Sequence, residues 1–461
     1  MELIGKTEKD IVQYGLAESL RLGAEAARIT LNKTISDTCV MRDGVMDSIQ
    51  RRLDRSLTVT LFADNRSASF STNRLEADHL SRFLSGAVKT MALLEKDPCR
   101  QLPPAGLMVK DAINGCESGL WDEGYSGIDE NSRLASVAAM HIEGNSGDGW
   151  KGISEENEYT DYCDATLVAD TRGFSGIQYE TGFSCSSEQT VITESGERYS
   201  SYWWESSAFR DRIVPRRCSE AALKRAVSSI FPETVKSGRK TMVVDGNIAS
   251  RLLSPVTSAL VSTSIQQNMS FLCGSKGRKL FSSGLNLTDE PRAVGCAGAR
   301  WFDSEGVATK NRTIIENGIV RNYFTNTWSS LKTGEERTCE DISRPVLRQF
   351  VHEDLLKEGG KTLLSGGKRL SLRDILALCQ DGLYVTGFNG GNCNSVTGDF
   401  SFGVEGFEFH GGQTGRPFRE MLITGNIKDL WNSLLAIGGD ARDAGAWRLP
   451  TIAFAEVSFS A

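Results

Sequence analysis

The stretch Thr241–Pro291, TMVVDGNIASRLLSPVTSALVSTSIQQNMSFLCGSKGRKLFSSGLNLTDEP, decides how the rest of the chain is read. It opens as a short buried strand, Thr241–Val244, and a turn follows at Asp245-Gly246. Ile248, Leu252, Val256, Ala259 and Leu260 then recur at helical spacing, which makes one face apolar. Pro255 interrupts that pattern. A proline inside a helix removes one backbone donor and clashes with the previous turn, at a cost of about 3 kcal/mol. The expected outcome is a break, with Ser254 as N-cap and Pro255 at the first position of a second helical segment.

Other motifs follow in order. Phe302–Val307 reads FDSEGV, Ile315–Val320 reads IENGIV, and Gly390–Ser401 reads GGNCNSVTGDFS. Ile423-Thr424-Gly425-Asn426 and Ile437-Gly438-Gly439-Asp440 come after them. Together with Leu252-Leu253, Ser270-Phe271-Leu272 and Thr288-Asp289-Glu290-Pro291, their order and spacing over residues 241–461 resemble the TldD/PmbA family. Over the N-terminal half the resemblance rests on element order alone.

That resemblance implies a protein described either as a modulator of DNA gyrase or as a metallopeptidase subunit. In the family's catalytic branch, Leu-Leu is followed by His-Glu-x-x-x-His, whose histidines bind zinc and whose glutamate acts as base. A Cys near the C-terminus is the third ligand there. Here Ser254 and Pro255 stand where His-Glu would be, and Ala259 stands at the second His. Zinc takes thiolate, imidazole or carboxylate, and none of these three side chains supplies one. The segment Asp440–Pro450, DARDAGAWRLP, has no cysteine, and Cys393 falls elsewhere, in a Gly-rich turn. The chain therefore resembles the PmbA/TldE branch, which keeps the frame and lacks the motif. The resemblance implies no cofactor on this chain, and zinc on a TldD-like partner.

Composition bounds the alternatives. At 461 residues, two or three domains are expected. A hydrophobic content of 39% with 24% charged residues is that of a soluble globular chain. The net charge of −7 argues against a nucleic-acid surface, which needs a basic stripe. Eleven cysteines without a Cys-x-x-Cys pair fit reduced thiols, hence a cytoplasmic location. Met1–Asp10 lacks the apolar core of a signal peptide, and no run of 18 apolar residues exists, so no membrane association is expected.

The N-terminal half reads as α+β. Glu8–Glu25 is an amphipathic helix, and Ala27–Val40 is extended. Val45–Arg52, Ser56–Phe62 and Ser67–Ser71 alternate as a β-meander, and Leu75–Leu94 is a second helix. The pattern recurs: a helix at Glu130–Glu143, three or four strands between Tyr159 and Phe209, and a helix at Ser219–Ile230. Leu61–Arg66 (LFADNR) also matches Leu167–Arg172 (LVADTR). This suggests a duplicated helix–meander–helix unit, over 1–98 and 128–232, within an N-terminal domain 1–236.

The polar connector Pro232–Arg239 leads into a β-rich domain, 237–461. Its expected strands are Ala297–Asp303, Thr313–Glu316, Val320–Asn326, Gly382–Phe388, Phe400–Phe409, Arg416–Gly425 and Pro450–Phe459. Asn317-Gly318 and Gly411-Gly412 are hairpin turns, because both central residues can take positive φ. Leu370–Gln380 and Ile427–Ala436 read as helices. An antiparallel barrel or sandwich follows.

Chemical candidates are few. The four histidines are His79, His141, His352 and His410, and no two have ligand spacing. His352-Glu353 would need a histidine where Leu356 stands. Ser329-x-x-Lys332 overlaps Lys332-Thr333-Gly334, and Ser237-x-x-Lys240 and Ser365-x-x-Lys368 repeat the first pattern, so the string has no specificity. Gly360-Lys361-Thr362 ends like a phosphate loop, but Leu355 holds the place of its first glycine. Asp303 and Glu305, at alternate extended positions, would face one side of a strand. They would bind a cation or a peptide's amino end, or, more plainly, cap a turn in the barrel. Trp203 and Trp204 must point to opposite faces of a strand, which leaves one for a partner contact.

The expected function is a non-catalytic subunit of a cytoplasmic metallopeptidase complex. It would form a heterodimer with a TldD-like catalytic subunit, with a homodimer as the other pairing, and help admit peptides or unfolded small proteins. One alternative is an autonomous metallopeptidase or hydrolase using carboxylates such as Asp303 and Glu305. Another is a binding protein of the gyrase-modulator type, without proteolysis.

Overall fold

The structure is a computed structural model and describes residues 3–112, 114–356, 367–442 and 445–461. Gly360-Lys361-Thr362 and Ser365 lie outside the described residues. Packing divides the chain into two compact units. One is Met1–Lys224 with Pro291–Lys310 and Thr325–Glu340; the other is Arg225–Glu290 with Asn311–Phe324 and Asp341–Ala461.

In the first unit, α1 (Lys6–Arg21) leads into β1 (Ala26–Arg42), β2 (Val45–Ala63), β3 (Arg66–Thr72) and α2 (Ala77–Met91). Then α3 (Glu130–Ala138), the short β4 (Ser146–Gly147), β5 (Trp150–Asp170), β6 (Ser175–Thr193), β7 (Arg198–Ser207) and α4 (Pro215–Ser228) follow. The strands form one antiparallel sheet in the order β3-β2-β1-β5-β6-β7, with β4 paired to β5. Helix–meander–helix thus occurs twice, and the second meander mirrors the first across the β1–β5 seam.

One expected correspondence does not hold. Leu61–Arg66 lies at the β2–β3 turn and Leu167–Arg172 at the β5–β6 turn. In the mirrored sheet β5 is the counterpart of β1, so the two hexapeptides occupy non-equivalent places. Nor does β2 break between Arg52 and Ser56; it runs through as one strand. The charges at Arg51, Arg52, Asp54 and Arg55 are tolerated because that part of β2 is exposed to water.

One face of this sheet is apolar core and the other is polar, as expected for an antiparallel sheet. Ile29 and Leu31 of β1, Val59 and Leu61 of β2 and Leu167 of β5 pack with Leu16 of α1 and Leu84 of α2. The other face carries cross-strand hydroxyl pairs, Thr58 with Ser71 (2.8 Å), Thr60 with Ser69 (2.8 Å) and Thr38 with Thr160 (2.9 Å). Two like charges sit opposite one another on the core side, Asp37 and Asp161. Arg133 of α3 resolves the repulsion, donating to Asp161 at 2.8 and 2.9 Å and lying 3.2 Å from Asp37.

The second unit contains β8 (Gly238–Val244), α5 (Ser250–Ala259), α6 (Ser262–Gln266), β9 (Leu287–Asp289), β10 (Arg312–Glu316) and β11 (Ile319–Val320). Next comes α7 (Thr327–Thr333), which belongs to the first unit. The second unit resumes with β12 (Pro345–Leu347), β13 (Phe350–Val351), α8 (Glu353–Leu356), α9 (Leu372–Cys379), β14 (Gly382–Cys393), β15 (Asp399–His410) and β16 (Gln413–Asn426). It ends with α10 (Ile427–Asn432), β17 (Leu434–Ile437) and β18 (Ile452–Ser460). A small sheet has the order β11-β10-β9-β12.

The larger sheet runs β13-β17-β18-β16-β15-β14-β8, and β18 also pairs with β8. The ring β8-β14-β15-β16-β18 is therefore closed, a five-stranded barrel in the β-rich region. Its β8–β14 pairing is parallel and the rest antiparallel. Both expected hairpin turns form: φ is +49° and +75° at Asn317 and Gly318, and +55° and +74° at Gly411 and Gly412.

Three expectations fail in this half. Val320–Asn326 is not a strand: β11 ends at Val320, and Phe324 makes only a single bridge, to Val261. Ala297–Asp303 is not a strand; only Phe302 makes a single bridge, to Ala308. Its apolar residues are used differently, Phe302 packing with Val168 and Phe174 of the first unit. Ile427–Ala436 splits into α10 and β17. Among the described residues, no helix is long and apolar enough to cross a membrane.

Candidate functional site

The site to test is the one the opening stretch defines. After β8, the Asp245 carboxylate accepts from the Asn247 backbone N–H at 2.9 Å and from its side-chain amide at 2.6 Å. The chain then winds into α5, which continues through Pro255 instead of breaking before it. Ser254 is not an N-cap. Pro255 forfeits one main-chain bond, and the helix compensates by burying Leu252, Leu253 and Val256 completely, each 0% exposed. Trp431 of α10 adds an indole N–H bond to the Leu252 carbonyl at 3.2 Å.

On this helix Ser254 is exposed, Pro255 is partly covered and Ala259 is a buried methyl. A lone hydroxyl, a pyrrolidine ring and a methyl do not fit zinc. Among the described residues, no three His, Cys, Asp or Glu side chains come together as a metal-holding group.

Instead, the surroundings are tied by arginines. Arg442, in the C-terminal segment where the resemblance would put a third ligand, donates to the Asn247 amide oxygen at 2.9 Å. Asp440 holds Thr451 through its N–H at 2.9 Å and its hydroxyl at 2.8 Å. Arg251 of α5 donates to the carbonyls of Gly390 (3.3 Å) and Gly391 (2.6 Å) and stacks over Phe402 at 4.8 Å. Gly391 has φ of +81°, and a Cβ there would lie 2.0 Å from the Ser401 carbonyl oxygen. Gly391 is thus a packing requirement of the β14–β15 hairpin, while Gly390 has room for a Cβ and is favoured only by its φ of +73°. The Tyr384 hydroxyl donates to Asp245 at 2.9 Å; burial first, and that carboxylate second, push its pKa well up. The arrangement offers hydrogen-bond donors and fixed cations, and no paired base and nucleophile.

Asp303 and Glu305 do come together, in the first unit and outside the barrel, on a turn instead of a strand. Asp303 accepts from the backbone N–H of Glu305 (3.0 Å) and Val307 (3.1 Å), so it caps that turn. Arg337 bonds both carboxylates, Asp303 closely and Glu305 at 2.8 Å, and Arg28 lies 3.6 Å from Glu305. Glu305 also accepts from Thr327, through its N–H at 2.9 Å and its hydroxyl at 2.6 Å. Burial acts to raise both carboxyls. For Glu305 the charges of Arg337 and Arg28 outweigh it and the pKa falls; for Asp303 burial prevails and the pKa rises. Sequence reasoning missed Arg337, because nothing in its polar neighbourhood marks it as a partner of residues over thirty positions away.

The histidines stay apart. His79 is exposed on α2. His352 lies 3.3 Å from Asp354, and His410 lies 3.1 Å from Asp381. His141 bonds the buried Glu155 through Nδ1, at the edge of a cavity of about 430 Å³ lined also by Asp43, Asn145 and Lys151. Glu155 had no sequence signal: the strands expected there began at Tyr159, whereas β5 starts at Trp150 and includes it. Trp203 faces the core and Trp204 the opposite side, as alternation requires.

Comparison with known proteins matches this frame. Residues 237–461 fit the family model described as the PmbA/TldA metallopeptidase C-terminal domain, and residues 27–90 fit PmbA/TldA metallopeptidase domain 1. The metalloprotease PmbA of Escherichia coli O157:H7 is 24% identical over 451 residues, spanning 95% of this chain and 94% of that protein. A Bacteroides thetaiotaomicron protein, named as a candidate modulator of DNA gyrase, has a crystal structure that matches with a TM-score of 0.89. It is 34% identical and covers 99% of both chains. TldE of Thermococcus kodakarensis has the same fold, with a TM-score of 0.75 at 15% identity over 98% of this chain and 99% of that one.

Proposed function

Because the chain belongs to the PmbA/TldD family of metallopeptidase-type proteins, we propose that it is a non-catalytic subunit of a peptide-processing complex. Its partner would be a TldD-like chain that carries the zinc. The observation behind this reading is Ser254, Pro255 and Ala259 on an intact, well-packed α5. The scaffold is retained and the donors are gone. In this role the chain shapes the chamber and helps admit peptides or unfolded small proteins.

Peptidase assays on the chain alone, a TldD-like chain alone and the mixture test it. Chelator-sensitive cleavage should need the TldD-like chain and rise on mixing. Strong chelator-sensitive cleavage by this chain alone would refute it.

The alternative of an autonomous hydrolase built on Asp303 and Glu305 is disfavoured by Arg337, which binds both carboxylates in a buried cluster. A regulatory role without proteolysis is the reading suggested by the name of the Bacteroides relative. Recovery of no TldD-like chain in a pull-down would favour it.

A further inference from the structure

Two of the motifs singled out in the sequence meet at a small cavity that the proposed role does not use. Thr288 and Glu290 come from Thr-Asp-Glu-Pro, and Ile315 and Glu316 come from the segment that leads into the Asn317-Gly318 turn. Val346, Arg348 and Asn286 complete the lining together with Thr313. The volume is about 220 Å³, room for one amino-acid residue and below the range of about 300–1,000 Å³ typical of drug-sized ligands.

The small sheet builds this cavity. Thr288 of β9 is flanked by Thr313 of β10 and Val346 of β12 in one cross-strand row. Side chains alternate along a strand, so Asn286, Thr288 and Glu290 share the cavity face while Leu287 and Asp289 point into the interior. Asp289 is 1% exposed and accepts from the N–H groups of Ser343 (3.0 Å) and Arg344 (2.7 Å), which fixes the approach to β12. Asn286 pins the hairpin, accepting from the Asn317 N–H at 2.9 Å, and its carbonyl accepts from the Arg348 N–H at 3.2 Å. The walls are thus held by main-chain bonds.

The charges are not balanced evenly. Glu290 has Arg344 at 3.3 Å, and Glu316 has Arg321 at 2.9 Å. The Arg348 guanidinium has no counter-ion or acceptor among the described residues, and neither does the Thr313 hydroxyl have a partner there. The cavity therefore presents one unspent cation and one unspent hydroxyl, beside apolar surface from Val346; Ile315, paired with Leu287, turns its side chain inward. A guanidinium matches a carboxylate with two parallel hydrogen bonds. The geometry points to a subsite for a small apolar residue bearing a free carboxylate, the C-terminal end of a peptide: the carboxylate on Arg348, the aliphatic side chain against Val346.

The site belongs to this chain alone and needs neither metal nor partner, so it and the subunit reading fail separately. The test is titration of the isolated full chain with N-acetyl-valine, N-acetyl-valinamide, free valine and inorganic phosphate, followed by NMR or calorimetry. Binding of the acetylated acid in the millimolar range is expected, with the amide about tenfold weaker. Arg348→Gln should lose about tenfold, and Thr313→Val, which leaves the charge in place, a smaller factor of about three. Equal binding of acid and amide, indifference to Arg348→Gln, or no binding of the acid at about 10 mM would overturn the proposal. So would phosphate binding more tightly than the acid, which would make this a general anion site. Free valine binding better than its acetylated form would replace a peptide end with a free amino acid and overturn the peptide assignment.

Discussion

The seven-stranded sheet and the five-stranded ring treat charge in opposite ways. In the sheet unit, ionised groups are taken inside and matched: Arg133 with Asp37 and Asp161, Arg337 with Asp303 and Glu305. Each of those carboxylates is committed to holding structure. Around α5, the face toward the interior is aliphatic and aromatic, with Leu252, Val256, Trp431 and Phe454 all at 0% exposure. There the helix is held by apolar packing, so positions 254, 255 and 259 can go without ligands and the fold still stands. The four carboxylates named above hold structure, and the interior face of α5 carries no acid.

The sharpest way to break that contrast is at Arg337. Arg337→Met leaves two buried carboxylates without their shared cation, and should cost about 3–5 kcal/mol in urea unfolding. A cost under about 1 kcal/mol would mean that the cluster is solvated and its acids free for other work. Next is Leu252→Ala, which opens a void beneath α5 and should cost about 2–5 kcal/mol. The loss should be unchanged by chelator; a chelator-dependent loss would mean that the helix leans on a metal.

A smaller effect tests the open face of the sheet. Glu180 stands opposite Asp164, and burial, then that neighbour, raises its pKa from 4.5 to about 7. The folded state therefore holds the proton where the unfolded chain has lost it. Stability contributed by this group is unpenalised below pH 4.5, falls as pH rises toward 7, and stays at its lowest above that. Glu180→Gln should stabilise the protein by about 1–3 kcal/mol at pH 8 and by nothing at pH 4. Equal effects at both pH values would show that the carboxyl titrates normally. The smallest effect is that of EDTA on the unmodified chain, a Tm change within about 1 °C; a large fall would expose a structural metal.

Much of this was readable in the sequence, for identifiable reasons. The apolar stripes of α1 and α2 and the Asn317-Gly318 and Gly411-Gly412 turns depend on local rules, and all formed. The misreadings came where packing overrode local preference. Pro255 suggested a break, yet the buried flank of α5 carries the helix past it. Ala297–Asp303 has strand-like composition but is a loop of the first unit, with Phe302 in a small cluster there. The charged residues around Leu53 suggested a strand break between Arg52 and Ser56, and they are a water-exposed part of the continuous β2. At the site, the identities of residues 254, 255 and 259 could be read because they are single positions in a frame. The roles of Arg337, Arg442 and Arg348 could not, because they depend on which distant strands and loops the fold brings beside them.

The central claim is most directly tested by elemental analysis coupled to native mass spectrometry, on the purified chain with and without a TldD-like partner. The account predicts no stoichiometric zinc on the chain alone, and one zinc per heterodimer carried by the other subunit. A tightly held zinc in the isolated chain at one-to-one ratio would contradict it.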